Sequence, residues 1–273
     1  MPRPPGLPDY ERPPIDEVAI GVQFSAAISG FADAHAGVFW QEVKSGYPRV
    51  EPQPRIESPL EVLEQPIGAV PTPFPLFIAP HGARTFLVSA DDAYLLQIQN
   101  NRFYRNWRRR LERYPHFDEL GNSFRSDYSA FCAFLATETL PLPAIRQIDV
   151  TYINWIADLT MAEFLQPGRP VGIDIARVDS QPQDQTWTAR YIVRDSGTRP
   201  LARLHVQCVP AVRMGDDGPA QGSQMSLTFL VPCAETPSDS VLEGLLAEGR
   251  NVIVRGFTEL TTPAAHEHWG RIQ

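Results

Sequence analysis

The sequence predicts an α+β protein with two similar lobes, each an antiparallel sheet packed on a long helix. Three observations lead to this prediction. Short stretches of alternating apolar and polar residues occur in both halves of the chain, as in half-buried strands. Each half ends in a long stretch with apolar residues at helical spacing. The elements also follow one order in both halves: a strand, a helix or helical turn, several strands and a long helix. The expected units are a proline-rich tail over 1–14 and lobes over 15–143 and 144–273. The alternative is one irregular α+β domain, since the two halves share an order of elements and no visible sequence identity.

The first lobe opens with a strand over 15–24, because Val18, Ile20, Val22 and Phe24 alternate along it. A helix is predicted over 31–46, where apolar residues recur near helical spacing. A proline-rich link over 48–80 follows and is expected to be extended, apart from a helical turn around 60–63. This lobe then continues with two strands joined by an acidic turn, and with a helix of about twenty residues that starts at Phe117. The two strands are 84–89 and 94–99, the turn is Asp91 and Asp92, and the helical stripe is Leu120, Phe124, Tyr128, Phe131, Phe134 and Leu135.

The second lobe opens with a strand over 148–154 and a helical turn over 161–165. A long helix is predicted to begin after Ser238, which is a suitable N-cap, with Val241 as its first buried residue. Its apolar residues near helical spacing are Val241, Leu245, Val252, Ile253, Phe257 and Leu260. Four strands are expected between the turn and this helix, at 171–178, 186–193, 202–209 and 226–230.

Composition is typical of a soluble globular protein, with 43% hydrophobic and 21% charged residues. No run approaches the roughly 20 apolar residues that span a bilayer, and the first residues lack the apolar core of a signal peptide. Cys132, Cys208 and Cys233 lie in apolar sequence, as buried reduced thiols do, so a cytoplasmic location is expected. Six of the 27 prolines fall within 1–14, which predicts a tail that is frayed or lies along the surface.

Charge is distributed unevenly along the chain. The segment 102–113 contains six arginines, one glutamate and three aromatic residues, so it carries +5 in a chain of net charge −8. Such a segment indicates either a binding site for an anion or an acidic partner within the fold. The planar guanidinium of arginine can grip phosphate or carboxylate in two places, and a neighbouring aromatic ring can stack on a base.

Ligand-binding candidates are therefore sought mainly in this segment. If the segment continues a strand, alternate residues face opposite sides; if it turns helical after Trp107, the arginines cluster instead. The alternative is that the arginines pair with acidic residues of the same chain while the aromatics fill the core. Tyr152 and Asn154 lie on the predicted strand 148–154, which is otherwise mainly apolar. A buried asparagine needs hydrogen-bond partners, so Asn154 must either bond to the backbone or face a ligand. The candidates are Arg102, Tyr104, Arg105, Asn106, Trp107, Arg108, Tyr152 and Asn154.

Catalytic and metal-binding signatures are not found. The phosphate-binding glycine loops, the nucleophile elbow and the zinc-protease helix motif are all absent from the sequence. His266 and His268 could share a face but lack a third spaced ligand, so an exposed helix end is expected there. His205 and Cys208 are three apart on a predicted strand and should face opposite sides. We assign no catalytic residue, no metal and no cofactor.

Several of these stretches resemble a sporadically distributed bacterial family of about this length that is known as a sequence model without assigned activity. The specific part of the resemblance is Asn106-Trp107-Arg108 together with Tyr152-Ile153-Asn154. The chain departs from the family in Arg109 and Arg110 and in its proline-rich start. The family implies no catalytic residues, and its patchy distribution suggests mobile or defence-associated genes. The remaining matching stretches are 14–18, 96–99, Tyr114-Pro115, Phe124, 150–151, 257–261 and Trp269.

The expected function is a non-enzymatic binding component, set in a bacterial defence or toxin–antitoxin-like module. It would engage a phosphate-bearing ligand, nucleic acid or nucleotide, or an acidic protein partner encoded nearby. Two alternatives remain open at this point: a scaffold whose arginine segment is paired internally, and an enzyme with an unrecognised site between the lobes that uses Asn154, His205 or His81.

Overall fold

A computed structural model describes residues 6–56, 60–63, 84–110, 114–168, 184–215 and 218–272. Nine strands form one antiparallel sheet in the order β2-β3-β4-β5-β1-β6-β9-β8-β7. The strands are β1 Ile15–Phe24, β2 Arg49–Gln53, β3 Arg84–Val88, β4 Tyr94–Gln99, β5 Arg102–Arg108, β6 Ile145–Ile156, β7 Trp187–Arg194, β8 Pro200–Gly215 and β9 Gly218–Pro232. The helices are α1 Asp33–Val43, α2 Phe117–Thr137, α3 Met161–Phe164, α4 Asp239–Leu260 and α5 Pro263–His268, with a 3₁₀ turn at Gln166–Gly168. None of these helices is long and apolar enough to cross a membrane.

The α+β class is therefore confirmed, and both halves of the chain share one continuous sheet. Strands β1 to β5 form one side of it and β6 to β9 the other. The two sides meet where β1 pairs with β6, in a register that runs from Ile15 opposite Asn154 to Phe24 opposite Ile145. On the first side α2 packs on β1 and β5, and on the second side α4 packs on β6 and β9.

The hydrophobic core lies between the sheet and these helices. The alternation predicted for the first strand is confirmed, because Val18, Ile20, Val22 and Phe24 are all buried. Five of the six residues predicted for the stripe of α2 are also buried, and Tyr128 is half-buried. Successive strand residues point to opposite sides, so the residues that alternate with the apolar ones lie on the other face of the sheet. Near the centre of the sheet these are mainly polar.

An N-terminal arm, residues 6–14, runs along the surface of the helical side. Its backbone pairs with the C-terminal end of the chain: Glu11 N–H donates to the Gly270 carbonyl at 2.9 Å and Arg12 N–H to the Trp269 carbonyl at 3.0 Å. The Tyr10 ring is buried, and its hydroxyl lies 2.8 Å from Thr258 Oγ1. The arm thus follows the surface, one of the two outcomes expected for the proline-rich tail.

The proline-rich link differs from its prediction in two places. Arg49–Gln53 forms the strand β2 although it contains Pro52, because β2 is the outermost strand of its side and pairs with β3 alone among the described residues. The helical turn predicted around 60–63 is wrong. Glu61 instead lies over the polar face of the sheet, where its carboxylate pairs with Arg203 at 2.6 Å. The predicted strand 171–178 lies outside the described residues.

The rotation of the last long helix also differs from its prediction. Ser238 is the N-cap by position, but its side chain makes no capping hydrogen bond. Val241 is 51% exposed, and the neighbouring Leu242 is buried instead. Ile253 and Phe257 of the predicted stripe are buried as expected, so the difference lies in the first turns, where Leu242 and Leu246 are the buried residues. Gly249 lies directly against the sheet.

Candidate anion-binding cavity

The segment rich in arginine, 102–113, begins as strand β5. Of the two arrangements considered for it, a continued strand or a helix after Trp107, the strand is observed up to Arg108. Its candidate residues consequently divide between the two faces of the sheet. Phe103, Arg105 and Trp107 point toward the helices, while Arg102 and Tyr104 belong to the opposite, polar face.

On the helical side the strand residues are held by the fold itself. Arg105 donates from Nε to Asp127 Oδ2 at 2.8 Å, and its guanidinium lies 4.7 Å from the ring centre of Tyr94. Asp127 also accepts a hydrogen bond from the Tyr47 hydroxyl at 2.8 Å. Trp107 is 2% exposed and belongs to the core. Arg105 and Trp107 thus have the internal partners that the scaffold alternative requires.

The polar face contains a buried hydrogen-bond network around Asp149. The Tyr104 hydroxyl donates to this carboxylate, as do the side-chain amides of Gln23 at 2.9 Å and Gln147 at 2.7 Å. Burial raises the pKa of Asp149, although the hydrogen bonds from Tyr104 and Gln23 oppose the rise. Arg102 is 3% exposed and hydrogen-bonds the Asn101 side chain at 3.3 Å. Tyr104 and Arg102 therefore both hydrogen-bond to neighbouring side chains on this face.

The same face holds Asn106, which accepts from the Gln97 amide at 2.7 Å and donates to Glu17. At the end of the strand, Arg108 pairs with Asp92 at 2.8 Å. Asp92 lies in the acidic turn predicted between β3 and β4, and it also pairs with Arg110 at 2.6 Å. Burial alone would raise the pKa of Asp92, but the Arg110 hydrogen bond and the charge of Arg108 bring it below its usual value.

Immediately beyond β5 the chain borders a cavity of about 410 Å³. Four parts of the fold line it: the N-terminal arm, the chain leading into α2, the strand β6 and the helix α4. Two of the eight candidates, Tyr152 and Asn154, line it. Among the residues that the structure describes, its charged lining consists of the guanidiniums of Arg12, Arg109, Arg110 and Arg250 and the carboxylates of Asp9 and Glu11. Its apolar lining includes Ile15, Phe117, Ile253 and Phe257.

Arg109 is the most informative residue of this cavity. Its side chain donates from Nη2 to the Pro13 carbonyl at 2.8 Å, and its Nε is buried without a hydrogen-bond partner among the described residues. Burial lowers the pKa of this guanidinium, which Asp16 partly offsets. A buried donor without a partner costs about 1–3 kcal/mol, and more when the group is charged. An anion in the cavity would reduce that cost.

The other polar groups of the cavity are ordered by hydrogen bonds. The hydroxyls of Tyr114 and Tyr152 lie 2.9 Å apart, and burial together with Tyr114 raises the pKa of Tyr152 well above its usual value. The Tyr152 phenol therefore remains protonated at neutral pH. Asn154 donates to the Met225 carbonyl at 3.1 Å, so it ties down backbone and lines the cavity at once. Arg250 lies 3.6 Å from the half-exposed Asp118.

The histidine and cysteine predictions have mixed outcomes. His205 and Cys208 face opposite sides, as predicted: His205 pairs with Glu61 at 3.0 Å, while Cys208 is buried in the core. Burial raises the pKa of Cys208 to about 12. Full burial was expected for all three cysteines, but it is wrong for Cys132 and Cys233, which are half-buried.

The histidines of α5 were expected at an exposed helix end. This is wrong for His266, which is buried because Tyr10 of the N-terminal arm packs against it, with ring centres 5.7 Å apart. Its Nε2 lies 2.8 Å from Thr261 Oγ1. His81 is outside the described residues. Within the part of the chain that the structure describes, no group of three or more potential metal ligands comes together.

Sequence reasoning did not select most residues of the cavity. Arg109 and Arg110 follow the predicted site directly, and Tyr114 belongs to a stretch noted for its family resemblance, so these positions carried a signal. Phe257 likewise lies in a stretch noted for its family resemblance, whereas Arg250 carried no signal, because it lies more than a hundred residues away in the last long helix. Comparison with protein-family models, with curated proteins and with solved structures gives no match for this chain.

Proposed function

We propose that the protein is a non-enzymatic binding component that holds a phosphate-bearing ligand in the cavity beside β5. The observation that carries the proposal is Arg109, a partly buried guanidinium in the cavity wall whose Nε has no hydrogen-bond partner among the described residues. Guanidiniums suit phosphate because they donate two parallel hydrogen bonds to its oxygens. The proposal assigns ligand contact to Arg109, Arg110 and Arg250, with Tyr152 and Asn154 retained from the sequence-based candidates.

We further propose that the two halves of the chain are lobes of similar topology. In each half the first strand pairs with the last strand of an antiparallel set, and a long helix follows that packs on those same strands. The cavity is lined by residues from both halves, such as Tyr114 from the first and Arg250 from the second. On the family resemblance, the setting of such a protein would be a bacterial defence or toxin–antitoxin-like module.

A salt-dependent purification from the native host tests the function. Phosphorus content and absorbance at 260 nm would be measured on protein washed at low and then at high salt, because ion pairs with phosphate weaken as salt rises. We expect phosphate-bearing material to leave the wild-type protein at high salt. An Arg109→Gln, Arg250→Gln double variant should retain clearly less of it at low salt.

The matched control is Arg194→Gln, which removes an exposed arginine of β7 that hydrogen-bonds its local turn at the Thr198 carbonyl. It should retain as much phosphate as the wild type. Equal phosphorus in the wild type and the double variant, or none in either, would contradict the proposal.

A second candidate function is a scaffold whose arginine segment is satisfied internally. The pairs Arg105–Asp127 and Arg108–Asp92 favour it, because they occupy two arginines that the sequence offered to a ligand. An acidic protein partner would also have to reach these side chains, and Arg105 is only 10% exposed. If this candidate is right, substitution of Arg105 changes stability and leaves every binding measurement unchanged.

A further inference from the structure

We infer that the polar face of the sheet is a binding surface for an extended acidic peptide, and that a segment of the chain itself occupies it as an intramolecular ligand. This crossing segment, between β2 and β3, is described at residues 55–56 and 60–63. Three features carry the inference: contacts to the backbone of the segment, a site for one carboxylate, and receiving side chains that the sheet itself orders. The surface lies on the side of the sheet opposite the helices, so the inference is independent of the proposed cavity.

Side chains of the sheet hydrogen-bond to the backbone of the crossing segment near both of its described ends. At the first end, Gln99 of β4 accepts from the Ile56 N–H at 2.9 Å and donates to the Ile56 carbonyl at 3.1 Å. Further along, Gln147 of β6 accepts from the Glu61 N–H at 2.7 Å. The segment is thus held by side chains of separate strands.

A third strand supplies an arginine to the same backbone. Arg203 of β8 donates from Nη2 to the Val62 carbonyl at 3.1 Å and to the Leu63 carbonyl at 3.3 Å. Peptide carbonyls and N–H groups are common to extended peptides of many sequences. These contacts therefore suit an extended backbone in general and do not depend on the side chains of the segment.

One side chain of the crossing segment has a specific site. The Glu61 carboxylate lies 2.6 Å from Arg203 Nε and 3.0 Å from His205 Nε2, and the Glu61 side chain is 13% exposed. The Arg203 side chain is buried as well. A buried guanidinium that loses its carboxylate is left as an uncompensated charge, which is costly. The surface therefore selects a peptide with a carboxylate at this position.

The two apolar side chains beside Glu61 contribute little to holding the segment. Leu60 is 37% exposed and Val62 is 52% exposed, so much of their apolar surface remains in contact with water. The backbone hydrogen bonds replace bonds to water and have a small net effect on stability. The segment consequently resembles a bound peptide more than a part of the core, and a competing peptide can take its place.

The receiving side chains are ordered within the sheet. Gln147 donates from Nε2 to Asp149 at 2.7 Å, which leaves its Oε1 to accept from the crossing segment. Gln99 likewise donates to the Asn101 side chain at 2.7 Å. Neither bond involves the segment, so both persist when the segment leaves. A surface that is preorganised in this way loses less conformational freedom when a peptide binds.

Binding of a labelled peptide in trans tests the inference. The probe is a fluorescein-labelled synthetic peptide of residues 55–63, and fluorescence polarisation measures its affinity for the wild type and for Glu61→Gln. In the wild type the crossing segment competes at an effective concentration of about millimolar. Glu61→Gln removes the intramolecular anchor and leaves the receiving side chains in place. This variant should therefore bind the peptide about tenfold or more tightly than the wild type, because the surface is free in a larger fraction of molecules.

Hydrogen exchange on the same proteins shows whether the segment is released. The backbone amides at positions 56 and 61 should exchange faster in Glu61→Gln than in the wild type, while those of β6 and β9 should be unchanged. The matched control is Glu243→Gln, which removes an exposed carboxylate paired with Arg125 on the helical side. This control should bind the peptide as weakly as the wild type.

Two further changes test the carboxylate site. A peptide that carries Glu61→Gln should bind the Glu61→Gln protein about tenfold to a hundredfold more weakly than the original peptide, the usual loss for a charge-assisted hydrogen bond. Adding Arg203→Gln to the Glu61→Gln protein should weaken binding of the original peptide in the same direction.

Equal peptide affinities of the wild type and Glu61→Gln, or no binding to either, would overturn the inference. So would equal binding of the two peptides, or amides at 56 and 61 that stay protected in the variant. If Glu61→Gln fails to fold, the wild type alone decides. The original peptide at millimolar concentration should then speed exchange of the Glu61 amide more than the peptide with Glu61→Gln does. Unchanged exchange would overturn the inference, and the proposed function of the cavity would stand.

Discussion

Arg105 and Arg108 are neighbours on strand β5, yet their electrostatic surroundings differ. The Arg105 side chain is 10% exposed and pairs with Asp127, which also accepts a hydrogen bond from the Tyr47 hydroxyl. Arg108 is 18% exposed and shares the more exposed Asp92 with other arginines. Solvent screens an exposed pair strongly, whereas removing one partner of a buried pair leaves an uncompensated charge.

Arg105→Ala should therefore lower the free energy of unfolding by about 3 kcal/mol, and Arg108→Ala by about 1 kcal/mol. Urea unfolding of both variants measures the difference, and each variant serves as the control for the other. Equal losses, or a larger loss for Arg108→Ala, would contradict the assignment of Arg105 to the structural framework.

At the scale of elements, most strands and both long helices could be predicted from periodicity. Which residues of the first turns of α4 face the sheet could not. Val241 and Leu245 are four apart, and so are Leu242 and Leu246, so the spacing fits either stripe. In the structure the stripe with Leu242 and Leu246 faces the sheet, because the helix approaches the sheet closely at Gly249. A Cβ at Gly249 would lie 2.8 Å from Phe229 and 3.0 Å from Val150. Such a close approach between a helix and a sheet depends on tertiary packing, which periodicity does not contain.

Gly249→Ala should destabilise the protein by about 2 kcal/mol, because the added methyl group overpacks the contact between α4 and the sheet. The matched control is Gly244→Ala in the same helix. A Cβ there meets nothing within 4 Å, so the higher helix propensity of alanine should add about 1 kcal/mol. Thermal or urea unfolding measures both changes. A stabilising effect of Gly249→Ala would show that the two elements are less closely packed than described.

At the scale of the whole molecule, the central pairing of β1 with β6 joins the two halves of the chain. Sequence reasoning placed a boundary near Pro143 from the order of elements alone and did not predict this pairing. The proposed ligand site could not be predicted as a whole for the same reason. Its arginines come from the N-terminal arm, from the residues after β5 and from α4, and only the folded chain brings them together. The part that could be predicted, Tyr152 and Asn154, lies on a strand whose alternation is visible in the sequence.

A shared sheet should make the halves unfold together. Differential scanning calorimetry should show one transition, with the calorimetric enthalpy equal to the van't Hoff enthalpy. Any stable half would instead have to expose the long edge of β1 or β6. Two resolved transitions would contradict a mechanically continuous sheet and would favour lobes that fold independently.

The central claim is that the cavity beside Arg109 binds a phosphate-bearing ligand, and the most direct measurement is a thermal shift with a panel of nucleotides. A ligand at a hundred times its dissociation constant stabilises the native state by about 2.7 kcal/mol, so a bound nucleotide raises Tm measurably. We predict that at least one member of the panel raises Tm for the wild type and for Arg194→Gln, and raises it much less for Arg109→Gln. Equal shifts in all three proteins, or no shift with any nucleotide, would contradict the account.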